Sequence, residues 1–237
     1  MRSDILEKIC VSLLPRSLEE LEKLSGMALE VGARLLELRL DGLAVPELRR
    51  VPKTVSSGAP RKIVTLRPRR EGGLYTGGEA ERLELLGSMS EIMDYVDLEH
   101  DTIHENPALV EEFKGMGVEV ISSKHFLDAS PTVGEMRRLL SSDLALAGIV
   151  KIVNSPRKPS EAAAILSLYA EERVRGRLVA FSMGEGWSLT RIFSVVLGAP
   201  FTYASLPGLA VAPGQLSLHE VAEALEVFTD SWRSSQS

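Results

Sequence analysis

The sequence predicts an α/β protein, a closed (β/α)8 TIM barrel in which residues 1–237 form a single domain, and three observations carry that expectation. Eight short β-type runs alternate with helix-period segments along the chain, the pattern of parallel βα units. The first βα turn, Pro15-Arg-Ser-Leu18, lacks the Gly-x-Gly-x-x-Gly of an open dinucleotide-binding sheet, and no Walker loop occurs elsewhere. Ionisable residues recur at every second position near the ends of several strands, where a barrel would gather them at one mouth.

Ile9–Leu14 is almost wholly apolar, as a strand covered on both faces must be. Leu18–Val31 repeats leucine at helical spacing behind the capping box Ser17-x-x-Glu20. Leu35–Leu40 is the second strand. Ala44–Arg61 contains Val45-Pro-Glu and Ser56-Ser-Gly-Ala-Pro60 and predicts a poor second helix with a long loop. Lys62–Arg67 and Glu79–Met93 form the third unit, Tyr95–Glu99 and Pro107–Met116 the fourth. Val118–Ser123 leads to Val133–Ala145, whose start is marked by Thr132-x-x-Glu135. Gly148–Val153 with Ser160–Val174, Leu178–Ser182 with Ser188–Leu197, and Pro200–Ala204 with Leu218–Phe228 complete the eight, the last helix opening on Ser217-x-x-Glu220.

Composition narrows the function. With 27 Lys and Arg against 33 Asp and Glu the net charge is −6, so the chain is not expected to bind nucleic acid, which needs clustered cations to neutralise phosphates. The single cysteine, Cys10, lies in an apolar run and excludes an intrachain disulfide framework or a thiolate zinc cluster. Residues 192–219 carry no Asp, Glu, Lys or Arg, but Pro200, Pro207 and Pro213 with three glycines interrupt them too often for a membrane span. Met1-Arg-Ser-Asp-Ile-Leu-Glu lacks the apolar core of a signal peptide, so a cytoplasmic location is expected.

The charges within the strands carry the functional signal. In Leu36-Glu37-Leu38-Arg39-Leu40-Asp41 every second residue is ionisable, which puts Glu37, Arg39 and Asp41 on one face and the leucines on the other. Asp97 and Glu99, Thr65 and Arg67, and Ser123 and His125 repeat the alternation. Lys151 stands alone among Ile149, Val150, Ile152 and Val153, an amine placed for attack on a carbonyl. His125 ends the preceding strand and is a proton carrier suited to neutral pH. A structural ion-pair network would account for any one strand, though buried pairs are weak stabilisers and several strands share the arrangement. His100, His104 and His219 are read as surface residues, the first two in a polar turn, and no metal is expected.

These residues, with Glu37-x-Arg-x-Asp41, Thr65-x-Arg-x-x-x-Glu-Gly-Gly73, Asp97-x-Glu99, Ser123-x-His125, Val150-Lys-Ile152, Ser182-Met-Gly with Arg191, and Ala212-Pro-Gly-Gln215, run in an order that resembles type I 3-dehydroquinate dehydratase. The resemblance covers the whole chain. It implies dehydration of 3-dehydroquinate to 3-dehydroshikimate through a Schiff base on Lys151, with His125 as general base and acid and Glu71 orienting it. It assigns Arg191 to the substrate carboxylate, Glu37, Arg39, Arg67 and Gln215 to ring hydroxyls and pocket order, and Met183 to an apolar wall. Asp41, Asp97 and Glu99 would support these from behind. No cofactor is implied, the partner is the small-molecule substrate, and a homodimer is expected. The chain departs from the family pattern at Lys124 and Phe126 around the histidine, at Gly148 where an aspartate is common, and at Val211 where a serine is common. A class I aldolase or transaldolase-like barrel is the alternative enzyme, disfavoured because Glu185 would oppose a phosphate in the loop after strand seven. A non-catalytic barrel acting as a binding module is the alternative outside enzymes, and loss of the lysine or histidine would be its sign.

Overall fold

The computed structural model describes residues 3–55, 60–128 and 130–234. Eight strands, β1 (Ile9–Leu13), β2 (Leu35–Arg39), β3 (Arg61–Thr65), β4 (Tyr95–Glu99), β5 (Glu119–Phe126), β6 (Ile149–Asn154), β7 (Leu178–Ser182) and β8 (Thr202–Ala204), form one sheet. Its spatial order is β7-β6-β5-β4-β3-β2-β1-β8 and every ladder is parallel. The return of β8 to β1 curls the sheet into the expected (β/α)8 barrel. Among the described residues no ladder joins β7 to β8. Phe181 and Tyr203 meet across that seam with ring centroids 6.0 Å apart.

The helices are α1 (Ser3–Leu6), α2 (Leu18–Glu30), α3 (Val45–Leu48), α4 (Val51–Thr54), α5 (Glu79–Gly87), α6 (His100–Glu105), α7 (Ala108–Gly115), α8 (Val133–Leu144), α9 (Pro159–Leu166), α10 (Leu189–Val196) and α11 (Leu218–Ser234). The capping boxes before α8 and α11 form in both directions, Thr132 with Glu135 and Ser217 with Glu220. At α2 the Ser17 hydroxyl accepts from the Glu20 amide, but the Glu20 carboxylate returns to the Arg16 amide instead of that of Ser17. Ala44–Arg61 resolves into two single-turn helices, each opened by a proline, and the loop expected at 56–59 lies outside the described residues. The predicted helices Glu79–Met93 and Ser160–Val174 are shorter than their periodicity. The first stops at Gly87 and continues as a 3₁₀ turn at Ser90–Ile92, and the second breaks after Leu166 into 3₁₀ turns.

Two apolar layers hold the barrel. Leu36, Leu38, Val64, Val96, Leu98 and Val120 point outward onto the helices. Cys10, Leu35, Ile63, Ile121, Ile149, Val179 and Phe201 point inward and fill the barrel floor. Burial of each such side chain contributes roughly 1.5–3 kcal/mol. Cys10 is a packed floor residue, and burial first, then Glu37, pushes its thiol well above the usual range, so it is no nucleophile. Above this floor the inward positions turn polar. No helix among the described residues is long and apolar enough to cross a membrane.

Candidate active site

A cavity of about 430 Å³ opens at the C-terminal mouth of the barrel, lined by Glu37, Arg39, Arg67, Glu71, His125, Lys151, Met183, Arg191, Val211 and Gln215 among others. Every residue assigned to catalysis or substrate binding therefore reaches one space. Asp41, Asp97 and Glu99 lie behind it, all buried.

Lys151 occupies the middle of β6, paired in register with Ser123 of β5. Only 4% of it is exposed. Its Nζ lies 3.1 Å from Asp97 Oδ2, 3.5 Å from Glu37 Oε1 and 4.1 Å from the centre of the Tyr203 ring. Two carboxylates are thus the amine's nearest charged neighbours. Burial alone would raise Asp97, but Arg67 and then Lys151 hold its carboxyl far below the usual carboxylate range. Glu37 is lowered in the same way by Lys151 and Arg39 against its burial. It also accepts from the Ser12 hydroxyl at 2.7 Å and the Thr65 hydroxyl at 3.2 Å. The lysine is thus held at one place by groups that stay ionised.

His125 sits one inward position further along β5, opposite Val153. Glu71 Oε2 accepts from both its backbone N–H and its Nδ1, each at 3.0 Å. A carboxylate at Nδ1 fixes that nitrogen as the donor and leaves Nε2 with a free lone pair. Burial first, then Arg67 and Lys151, pushes the imidazole pKa well below 6.5, so the ring is neutral at physiological pH and its Nε2 is free to accept a proton. Glu71 reaches the histidine from a 3₁₀ turn, Arg69–Glu71, closed by Gly72 at φ 80°. A Cβ on Gly73 would collide with the Arg67 carbonyl, so the Glu-Gly-Gly sequence is what lets the turn fold back on the strand.

The arginines divide into two kinds. Arg67 is paired within the protein: Asp97 at 2.7 Å, Glu99 at 2.6 Å and the Ser123 hydroxyl at 2.8 Å. Arg82, from α5, meets the far oxygen of Glu99 at 2.7 Å. Arg39 is clamped by both oxygens of Asp41 at 2.8 Å, and Asp41 also accepts from the Leu74 amide. Arg191 differs. It is 2% exposed, it lies over the Phe181 ring at 4.1 Å, and among the described residues no carboxylate stands within ion-pair distance of it. Burial lowers its pKa to about 10, still a cation at neutral pH. A buried guanidinium without a counter-ion, facing a cavity, is a receptor for an anion.

Gln215 lies at the cavity but spends its amide on the loop around it. Nε2 donates to the Ala204 carbonyl and Oε1 accepts from the Val211 amide, both at 2.9 Å. Its hydrogen bonds pin the segment between β8 and α11. That segment also meets the loop after β7, where the Gly184 amide donates to the Pro213 carbonyl at 3.2 Å and a Cβ on Gly214 would strike the Gly184 carbonyl.

The departures from the family pattern acquire physical reasons. Lys124 pairs with Asp101 at 2.7 Å and with Glu71 at 3.4 Å, linking the histidine's partner to α6. Phe126 packs on the outer apolar layer. A Cβ on Gly148 would meet the end of the exposed Glu119 side chain, which can swing aside, and an aspartate there would set two carboxylates together. Val211 lines the cavity and offers it no hydroxyl.

Sequence reading missed Ser12, Arg82 and Tyr203. Ser12 was legible as an inward position on β1. Arg82 was not, because a helical arginine gives no sign that it will be buried to reach Glu99. His104 is exposed and His100 partly so, as a surface reading requires, but the polar turn expected there is corrected. They lie on the helix α6 and both contact buried Asp143. A six-residue helix with one apolar anchor, Ile103, has too little periodicity to announce itself.

The fold and mouth define a class: a barrel enzyme that gathers an amine, a neutral imidazole and an unpaired guanidinium around a cavity sized for one small anion. Residues 9–231 match the family model of Type I 3-dehydroquinase. The 3-dehydroquinate dehydratase of Methanopyrus kandleri is 34% identical over 221 residues, covering 92% of this chain and 99% of that protein. That of Methanothermobacter thermautotrophicus is 31% identical over 211 residues, covering 89% and 92%. Among solved structures, the 3-dehydroquinate dehydratase of Aquifex aeolicus aligns with a TM-score of 0.76 at 29% identity, over 93% of this chain and 98% of the other. The chain belongs to the type I 3-dehydroquinase family.

Proposed function

We propose that this chain dehydrates 3-dehydroquinate to 3-dehydroshikimate, a hydro-lyase step of the shikimate pathway, through an imine on Lys151. The observation that carries the reading is the shared cavity of Lys151, His125 and Arg191, three groups on different strands and helices that have no structural reason to converge. Arg191 takes the substrate carboxylate with two parallel N–H donors, a task that fits a guanidinium and not an ammonium. Arg39, held by Asp41, and Glu37 face the ring hydroxyls, Arg67 keeps the carboxylates beneath them in order, and Met183 walls the apolar edge.

In the reaction Lys151 Nζ adds to the ketone carbon, the carbonyl oxygen leaves as water, and a carbon–nitrogen double bond forms. His125 Nε2 removes a proton from the adjacent carbon, whose electron pair moves into an enamine. The enamine expels the ring hydroxyl, which takes the proton from His125 and departs as the second water. One water then adds to the imine and releases product and free lysine, so the net change is the loss of one water. Glu71 keeps His125 in the tautomer that this cycle needs. Asp97 and Glu99 act through Lys151 and Arg67. Gln215 contributes by holding the loop over the mouth.

Borohydride reduction with substrate present is expected to leave a stable adduct on Lys151, located by peptide mass spectrometry. His125→Ala is expected to keep the adduct while losing about 10²–10⁴-fold in turnover, the usual worth of a positioned base. An active enzyme with no adduct at Lys151, or normal turnover in Lys151→Ala, overturns the mechanism. The reading includes a cytoplasmic enzyme working as a homodimer. Support for the dimer comes from α10, which exposes Leu189 (62%), Phe193, Val196 and Leu197 on one stripe. Sedimentation of a Phe193→Glu variant as a monomer is the expected result.

A further inference from the structure

We propose that His100, His104 and Asp143 form a binding site for a zinc-type divalent cation on the outer wall of the barrel, a clip between two helices that is separate from the catalytic mouth. One ligand atom from each residue falls within 4.8 Å of the other two. His100 Nδ1 is 2.7 Å and His104 Nε2 is 2.8 Å from the same carboxylate oxygen, Asp143 Oδ1. The histidines are four residues apart on α6, hence on one helical face. Asp143 comes from the last turn of α8 and seals the gap between the two helices.

The carboxylate is the telling member. Asp143 is 0% exposed, and among the described residues no lysine or arginine stands within ion-pair distance of it. A buried carboxylate costs several kcal/mol unless it is paired or bound to a metal. What surrounds it is two imidazoles and two hydroxyls, Ser122 donating to Oδ2 and Ser142 to Oδ1. Ser122 occupies an outward position on β5 and holds the far oxygen, the supporting hydrogen bond that metal carboxylates have in well-formed sites.

Two imidazole nitrogens and one carboxylate oxygen match the ligand set of zinc with an open fourth position, and not the all-oxygen shells of calcium or magnesium. Bonds of about 2.0–2.2 Å in a tetrahedron set ligand atoms roughly 3.3 Å apart. The two nitrogens need withdraw from Oδ1 by only about half an ångström to admit the ion. Both rings are partly exposed, with His104 the more open, so the fourth position faces water. The site lies outside the barrel: Ser122 and Ser123 are neighbours on β5 that point to opposite faces, one toward this cluster and the other into the barrel. The ion's role is therefore to tie α6 to α8.

The test uses the full, untagged chain stripped with a chelator, and zinc alone as the probe. One equivalent is expected to bind, and zinc at a hundredfold excess over its Kd is expected to raise Tm by roughly 5–10 °C. Cobalt is expected to give the visible bands of a tetrahedral site. His100→Gln with His104→Gln is expected to abolish the uptake and the Tm shift while leaving turnover of 3-dehydroquinate within about twofold, since neither residue meets the cavity. These exposed substitutions are chosen because Asp143→Asn, at a buried position, can fail to fold for other reasons. No uptake by the stripped chain, or uptake undiminished in the double variant, overturns the proposal, as does zinc inhibition of turnover that survives that variant. The clip stands independently of the imine mechanism, whose own test is the borohydride adduct.

Discussion

Arg191 gives a prediction with opposite signs for stability and function. Its guanidinium is buried without a carboxylate, and burial lowers its pKa from 12.5 to about 10. A change of that size corresponds to roughly 3 kcal/mol against the charged form. Arg191→Met removes that penalty and also the cation–π contact with Phe181, which is worth about 0.5–2 kcal/mol. The difference leaves the variant more stable by about 1–2.5 kcal/mol, and for a chain of this length each kcal/mol moves Tm by roughly 2–4 °C. Binding goes the other way. Two charge-assisted hydrogen bonds of about 1.5–3 kcal/mol each are lost, so kcat/KM is expected to fall roughly 10²–10⁴-fold. Calorimetry on the free protein and steady-state rates followed by the ultraviolet absorbance of the conjugated product measure the two effects. A lower Tm with unchanged kcat/KM would make Arg191 a structural cation and refute the assignment.

Because His125 must be neutral to act, and its pKa is held below 6.5 by burial, Arg67 and Lys151, the acid limb of kcat/KM is expected below that value in a pH–rate profile. The same shift links to stability: between the folded and unfolded pKa values the unfolded chain binds the extra proton, so this histidine's contribution is complete above 6.5 and lost as pH falls through the folded value. Glu71→Gln is expected to lower kcat by about tenfold or more with little change in KM, because the amide no longer dictates which imidazole nitrogen is protonated. Gln215→Ala should raise KM by freeing the Val211 amide and the loop around it, whereas Val211→Ser should lower KM by no more than about tenfold, the worth of one added hydrogen bond. Steady-state kinetics on the two loop variants, with kcat nearly constant in Val211→Ser, checks both.

The barrel and most of its mouth were legible because strand periodicity is two. Glu37 and Arg39, Asp97 and Glu99, and Ser123 and His125 had to share faces whatever the rest of the fold, and parallel order brings those faces to one end. Lys151 declared itself by contrast with its apolar neighbours. Glu71, Arg191, Met183 and Gln215 lie on turns, a helix and loops, where no period constrains direction, and only the family resemblance singled them out. Helix ends were misjudged where 3₁₀ turns continue an apolar rhythm past Gly87 and Leu166, since both geometries bury similar spacings. The pairing of Asp143 with α6 was out of reach, because a contact across 43 residues is a property of packing and leaves no mark in local sequence.

The seam between β7 and β8 bears on how the molecule moves. Seven ladders make the rest of the wall stiff, while this one boundary is bridged by aromatic rings, by α10, which packs on both strands, and below the strands by one backbone bond from Gly176 to Gly198. Ring contacts tolerate sliding far better than a hydrogen-bonded ladder does, because dispersion has little directionality. The loops that follow these two strands are the ones that interlock over the cavity through Gly184 and Pro213. Entry and exit of a ligand at that side can therefore proceed by shear of two neighbouring units, with no strand ladder broken. Lys151 and His125, on β6 and β5, stand on the stiff side of the boundary, so access to the cavity and alignment within it are governed by different parts of one ring.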